Sequence, residues 1–133
     1  MKVAELMQTN LKTVGANDTV TDAMVTMADS HVSGLPVVDG GEHLVGVIST
    51  TDILTAMAEA DDAPARARLL DQTMVRELMT ARSVTVSPDA DVLEAARQML
   101  YLDIHRIFVE YEGRLVGVLS QTDIVGAVAA AKF

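Results

Sequence analysis

GVISTTD, at residues 46–52, recurs almost unchanged as GVLSQTD at residues 117–123. In both copies an apolar run typical of a short strand ends at a serine, and an aspartate follows three residues later where a helix is predicted to begin. The match extends outward, because VAELM at Val3–Met7 falls on VRELM at Val75–Met79 with a shift of 72 residues. One single-residue gap near His43 keeps both halves in register, which identifies the chain as a tandem duplication.

Both halves predict the same order of elements: a helical turn, a brief strand, an amphipathic helix, two strands joined by a turn, and a second helix. In the first half these are expected at Val3–Met7, around Thr13–Val14, from Val20, at Leu35–Val38 and Leu44–Ile48, and from Thr51 to about Ala60. In the second half they are expected at Val75–Met79, Thr85–Val86, from Val92, at Ile107–Val109 and Leu115–Leu119, and from Thr122 to about Ala131. Glycines in the turns, Gly40–Gly41 and Gly113, are expected to supply positive φ angles.

The domain boundaries follow from this duplication. We expect repeat 1 at residues 1–60, a linker at residues 61–74 and repeat 2 at residues 75–133. The stretch Asp61–Pro64 predicts a break between the halves, and Ala65–Leu70 predicts one further helical turn. A half of about 60 residues has a marginal core by itself, so we expect one α/β (α+β) module with approximate two-fold symmetry.

Composition excludes several classes of protein. The chain of 133 residues is 50% apolar, which is too much for a disordered chain, and it has no apolar run long enough to cross a bilayer. It has no cysteine, hence no disulfide frame, no thiol nucleophile and no thiolate metal site. Its net charge of −9 argues against nucleic-acid binding. We expect a cytoplasmic protein without membrane contact.

The repeated GVISTTD and GVLSQTD stretches, with LPVVD at Leu35–Asp39, resemble the CBS domain, which usually occurs as a tandem pair called a Bateman module. The resemblance covers nearly the whole chain and implies two β-α-β-β-α repeats packed with pseudo-two-fold symmetry. It also implies a stand-alone regulatory module that binds adenine nucleotides or related adenosyl ligands between the repeats, and a homodimer. No convergent nucleophile, base or metal set is present in the sequence, so we expect neither an enzyme nor a metal site.

The candidate ligand residues lie at the two strand-to-helix junctions. A carboxylate such as Asp52 or Asp123 can accept hydrogen bonds from both hydroxyls of a ribose, and donors at a helix start suit phosphate oxygens. By the resemblance, Thr13 would join the junction of the other repeat at Ser120 and Asp123. In the same way Thr85 would join Ser49, Thr51 and Asp52. Ser-x-x-Asp is also a helix capping box, and this structural interpretation stays open.

The halves diverge where the second has His105-Arg106 and the first has Ser33-Gly34. A His-Arg pair at this strand resembles the phosphate-contacting position of nucleotide-binding family members, although Phe108 replaces the usual proline. The favoured site therefore comprises six residues: Thr13, His105, Arg106, Ser120, Thr122 and Asp123. The second site comprises Thr85, Ser49, Thr51 and Asp52.

The acidic net charge bears on the ligand. Because it repels polyanions, we expect an AMP-like monophosphate in preference to ADP or ATP, with S-adenosylmethionine as a cationic option and no required cofactor. The alternative is a module without ligand that mediates dimerisation or docking on an unidentified partner protein.

Overall fold

A computed structural model describes residues 1–81 and 84–130. The chain forms two compact units. The first-repeat unit comprises Lys12–Ser83, and the second-repeat unit comprises Met1–Leu11 together with Val84–Phe133. The N-terminal segment therefore packs in the unit of the second repeat, and the segment that begins the second repeat packs in the unit of the first.

The elements follow the predicted order in both halves. Up to residue 81 they are α1 (Val3–Leu6), β1 (Val14–Gly15), α2 (Val20–Ser30), β2 (Gly34–Val38), β3 (Leu44–Ser49), α3 (Thr50–Glu59), α4 (Ala63–Gln72), α5 (Val75–Leu78) and β4 (Thr80–Ala81). From residue 84 they are β5 (Thr85–Val86), α6 (Val92–Leu102), β6 (Arg106–Tyr111), β7 (Arg114–Ser120) and α7 (Gln121–Ala129). The predicted end of the last helix at Ala131 lies outside the described residues.

Each unit has one small sheet. The first-repeat unit has the strand order β1-β2-β3-β4, and the second-repeat unit has the order β5-β6-β7. In both, the short first strand runs parallel to the next, and the two longer strands form an antiparallel hairpin. Strand β4 extends the first sheet by antiparallel pairing with β3, and the sequence pattern did not predict it.

The apolar positions at helical spacing fill two separate cores. Val20, Ala23 and Met27 of α2 are buried with Leu35, Val37 and Ile48 in the first-repeat unit. In the second-repeat unit the equivalent positions are buried, and the core comprises Val92, Ala95, Met99, Ile107, Val109 and Leu119, with Val3 of α1. The periodicity of the sequence therefore correctly predicts the centre of the buried face of each helix. The same apolar spacing also predicts Ala28 and Leu100 on that face, and this is wrong, because both are exposed.

Two local expectations need correction. The break between α3 and α4 lies at Ala60–Asp62, earlier than the expected Asp61–Pro64, because Asp62 caps α4 and Pro64 lies in its first turn. The helix runs from Ala63 to Gln72, where a single turn at Ala65–Leu70 was expected. Proline is tolerated there since the first N–H groups of a helix have no internal acceptor. In the turn after β2 the positive φ belongs to Glu42 and not to a glycine. In the second hairpin Gly113 does have positive φ, at 78°, as expected.

Candidate functional site

The junction between β3 and α3 is a complete capping box. Ser49 ends the strand and caps the helix, and its Oγ accepts a hydrogen bond from the N–H of Asp52 at 3.2 Å. In return the N–H of Ser49 donates to Oδ2 of Asp52 at 2.8 Å. Both residues are partly buried, and the serine hydroxyl keeps its own proton to donate.

The junction between β7 and α7 has the same geometry. The N–H of Asp123 donates to Oγ of Ser120 at 3.0 Å, and the N–H of Ser120 donates to Oδ2 of Asp123 at 2.9 Å. The capping interpretation of Ser-x-x-Asp is therefore confirmed at both junctions. Capping occupies Oδ2 of each aspartate and leaves the acceptor capacity of Oδ1 to other donors.

The two Oδ1 atoms have different surroundings. Oδ1 of Asp123 accepts a hydrogen bond from the side-chain amide of Gln8 at 3.0 Å. Oδ1 of Asp52 accepts no hydrogen bond within residues 1–81 and 84–130. Gln8 was not among the residues predicted from the sequence; in the repeat register its matching position in the other copy is Thr80, so the two copies diverge here.

The basic pair lies beside the second junction. Arg106 begins β6 directly opposite Ser120, so the two side chains are cross-strand neighbours on one face of the sheet. Both His105 and Arg106 are exposed, and the carbonyl of His105 accepts from the N–H of Gln121 at 2.9 Å. Arg106 forms no ion pair with any side chain that the structure describes. Its guanidinium group is therefore free to meet an anion within this unit.

The first-repeat unit repeats this backbone without the charge. Gly34 lies opposite Ser49 in the hairpin, and the carbonyl of Ser33 accepts from the N–H of Thr50 at 2.8 Å. The residue opposite the capping serine is thus an arginine in the second-repeat unit and a glycine, without a side chain, in the first-repeat unit.

The threonines of the predicted sites lie in three settings. Thr51 and Thr122 are exposed in the first turns of α3 and α7, each beside its aspartate. Thr13 is exposed just before β1, and Thr85 is partly buried in β5. Thr13 with Asp123, and Thr85 with Asp52, belong to different units, and their grouping stays a prediction.

Two further properties concern the described part of the chain. Its His, Asp and Glu side chains form no cluster of three or more that could hold a metal ion. None of the helices in residues 1–81 and 84–130 has the length and apolar character needed to cross a membrane.

The CBS domain model matches this chain twice, at residues 3–59 and 75–130. The chain therefore belongs to the CBS domain family, as a tandem pair. The crystal structure of CBSX2 in complex with AMP superposes with a TM-score of 0.83 at 29% identity, covering 99% of this chain and 98% of that one. CBSX2 is a CBS-pair protein of Arabidopsis thaliana.

Relatives differ in how much of their length is matched. YlbB of Bacillus subtilis is 32% identical over 124 residues, covering 92% of this chain and 79% of YlbB. Protein MJ1225 of Methanocaldococcus jannaschii is 28% identical over 123 residues, which is 41% of its length. The inosine-5′-monophosphate dehydrogenase of the same organism is 31% identical, and the match covers 23% of that enzyme. The chain thus spans less than half the length of several curated relatives that it matches.

Proposed function

We propose that this CBS pair is a regulatory module that binds an adenosine-containing nucleotide, AMP-like by preference, and has no catalytic activity of its own. The observation that carries the proposal is the placement of Arg106 opposite Ser120, the residue that caps α7, with Asp123 in the first turn of that helix. A cation for phosphate and a carboxylate for ribose then lie within one strand-helix unit.

The proposed site comprises His105, Arg106, Ser120, Thr122 and Asp123, and Thr13 is proposed as its sixth member. The guanidinium group of Arg106 would pair with phosphate oxygens, and the hydroxyl groups and helix N–H groups would add neutral donors. His105 would add one further hydrogen-bond donor. The CBSX2 complex supports AMP as the first ligand to try.

The small number of cationic donors favours a ligand with little negative charge. The chain carries a net charge of −9, and a single Arg-His pair marks the proposed site. A monophosphate needs fewer cations than a triphosphate, so we expect affinity in the order AMP, ADP, ATP. S-adenosylmethionine has no phosphate, so we propose that its affinity would not change when Arg106 is substituted.

Isothermal titration calorimetry with AMP, ADP, ATP and S-adenosylmethionine tests the proposal. Because hydrogen bonds to charged groups are strong, Asp123→Ala and Arg106→Gly should each weaken AMP binding roughly tenfold or more. Arg106→Gly copies Gly34, which occupies the equivalent hairpin position in the first repeat, so the strand pairing should be kept. No heat and no thermal shift with any ligand at millimolar concentration would exclude the proposal.

The second-site residues provide the matched control. The second proposed site comprises Ser49, Thr51, Asp52 and Thr85 and lacks a basic pair. Asp52→Ala should therefore change AMP affinity much less than Asp123→Ala. Equal losses for the two variants would contradict the ranking of the sites. Mass spectrometry of a denaturing extract of purified protein would identify any ligand that copurifies.

The alternative function, docking or dimerisation, is favoured by one surface. On α6, Leu93, Leu100 and Tyr101 have exposed fractions of 51%, 75% and 88%. A homodimer formed in the cytoplasm through this face is our proposal for its use. Sedimentation equilibrium should show a dimer for the unaltered chain and a monomer for Leu100→Glu. Identical masses for the two proteins would reject this surface as the contact.

A further inference from the structure

The backbone of Gln8 pairs with β7, and this pairing places the residue beside Asp123. Its N–H donates to the carbonyl of Val118 at 2.8 Å, and its carbonyl accepts from the N–H of Val118 at 3.0 Å. This isolated antiparallel pairing attaches the N-terminal segment to β7, two residues before the junction. The side chain is exposed, and its Nε2 donates to Oδ1 of Asp123 at 3.0 Å.

The contact involves the oxygen that a ribose needs. Oδ2 of Asp123 accepts from the N–H of Ser120 as part of the helix cap, so Oδ1 would be the fully available acceptor if Gln8 were displaced. An amide N–H and a ribose hydroxyl are the same kind of partner for a carboxylate, and they compete for it. Resting on the proposed function, we propose that Gln8 is an internal competitor that a nucleotide must displace from Asp123.

The other unit shows the same backbone without the competitor. Thr80 pairs with Val47 of β3, as Gln8 pairs with Val118 of β7. Oδ1 of Asp52 nevertheless accepts no hydrogen bond within the described ranges 1–81 and 84–130. The fold thus places one residue next to each carboxylate, and the identity of that residue determines whether the carboxylate is already occupied. The identity of residue 8 therefore sets the nucleotide affinity of this junction.

Gln8→Thr tests this inference, because it copies Thr80 and keeps the main-chain pairing with Val118. Releasing Oδ1 of Asp123 should tighten AMP binding, measured by titration calorimetry, by about 2- to 10-fold. In the Asp123→Ala background, the same Gln8→Thr change should give no gain, because the competition has no target. Gln72→Thr, an exposed glutamine at the end of α4 in the other unit, is the control and should leave AMP affinity unchanged.

The outcomes separate the two proposals. If the unaltered chain and Gln8→Thr bind AMP with equal affinity, or Gln8→Thr binds more weakly, the competition is wrong while nucleotide binding stands. A gain that persists without the Asp123 carboxylate likewise overturns the competition. If neither protein binds AMP at millimolar concentration, both proposals fail together. Binding by Gln8→Thr where the unaltered chain shows none would support both.

Discussion

The junctions at Ser49 and Ser120 have the same capping geometry and different neighbours. Both serines and both aspartates exchange the same pair of hydrogen bonds. Around that shared frame, Gly34 is replaced by Arg106, and Thr80 by Gln8. The comparison shows that the Ser-x-x-Asp motif builds the helix start in either unit. We therefore expect any difference in ligand binding between the two junctions to come from the residues that border the motif.

The two units also differ in how their amphipathic helices are covered. Helix α4 lies against α2, where the hydroxyl of Thr21 donates to the carbonyl of Leu70 at 2.7 Å. The matching position on α6 is Leu93, which is 51% exposed. One repeat thus has a covering helix from the connecting segment, and the equivalent face of the other is apolar and open to solvent.

Alanine substitutions at equivalent core positions should lower the free energy of unfolding equally in the two units. This is the largest effect that we expect. Leu35 and Ile107 occupy the same position in the two sheets, and each is 1% exposed. Leu35→Ala and Ile107→Ala should each lower the free energy of unfolding by about 2–5 kcal/mol, measured by urea denaturation, because each leaves a cavity. Leu54→Ala, at a position 64% exposed, is the control and should change it by less than about 0.5 kcal/mol. Losses that differ more than twofold between the two cores would break their equivalence.

Alanine substitutions at the equivalent glycines of β3 and β7 should destabilise the two units by different amounts. A Cβ on Gly46 would lie 2.7 Å from Sδ of Met79 and 2.7 Å from the carbonyl oxygen of Thr80. On Gly117 the sulfur of Met7 would lie equally close, and the nearest carbonyl oxygen would lie at 3.1 Å. Both alanine variants should be destabilised by about 1–3 kcal/mol in urea denaturation, with the larger loss at Gly46, because a strand carbonyl yields less than a flexible methionine.

Gly126 provides the control for these glycines. It lies in α7, and among residues 1–81 and 84–130 an added Cβ would meet nothing within 4 Å outside its own helix backbone and its chain neighbours. Gly126→Ala should raise the free energy of unfolding by about 0.5–1 kcal/mol, because alanine favours the helix. A larger loss at Gly117 than at Gly46 would contradict the role assigned to the Thr80 carbonyl.

Because α4 covers α2 in one unit only, alanine substitutions on these helices should change the free energy of unfolding differently in the two units. This difference should be smaller than the effects above. Leu70 of α4 is partly buried against the core of the first-repeat unit. Leu70→Ala should lower the free energy of unfolding by about 1–2 kcal/mol, since part of its apolar surface is already in water. Leu93→Ala on the open face of α6 should change it by less than about 0.5 kcal/mol. A loss at Leu93 as large as that at Leu70 would show that the α6 face is covered in solution.

The smallest effect concerns pH and the first hairpin turn. The backbone N–H of His43 donates to the carboxylate of Asp39, and this bond holds the pKa of Asp39 below its ordinary value of 3.8. A depressed pKa stabilises the fold above the unfolded-state value and loses that contribution as the pH falls through the folded-state value. From about pH 5 to about pH 3 the melting temperature should therefore fall slightly more steeply for the unaltered chain than for Asp39→Asn. Parallel curves for the two proteins would contradict the stabilising contribution assigned to Asp39.

Much of the fold was predictable because its signals are local. The helical spacing of Val20, Ala23 and Met27 correctly predicted the buried face of α2, and its repeat around Val92 did the same for α6. The family predicted from the two Ser-x-x-Asp stretches was also confirmed. Strand β4 was not predictable, because a strand of two residues exists only through pairing with β3. The start of α4 was placed two residues late, because a proline in the first turn of a helix and one in the preceding break have the same local sequence.

The sequence by itself determined the duplication, the two capping boxes and the positions where the copies diverge, since each depends on residues near one another in the chain. Tertiary structure alone decided that the N-terminal segment packs with the second repeat. It also decided that Gln8 meets Asp123, 115 positions away, through backbone pairing with Val118. Such pairing depends on the sheet edge that the folded chain leaves open, and no spacing in the sequence encodes it.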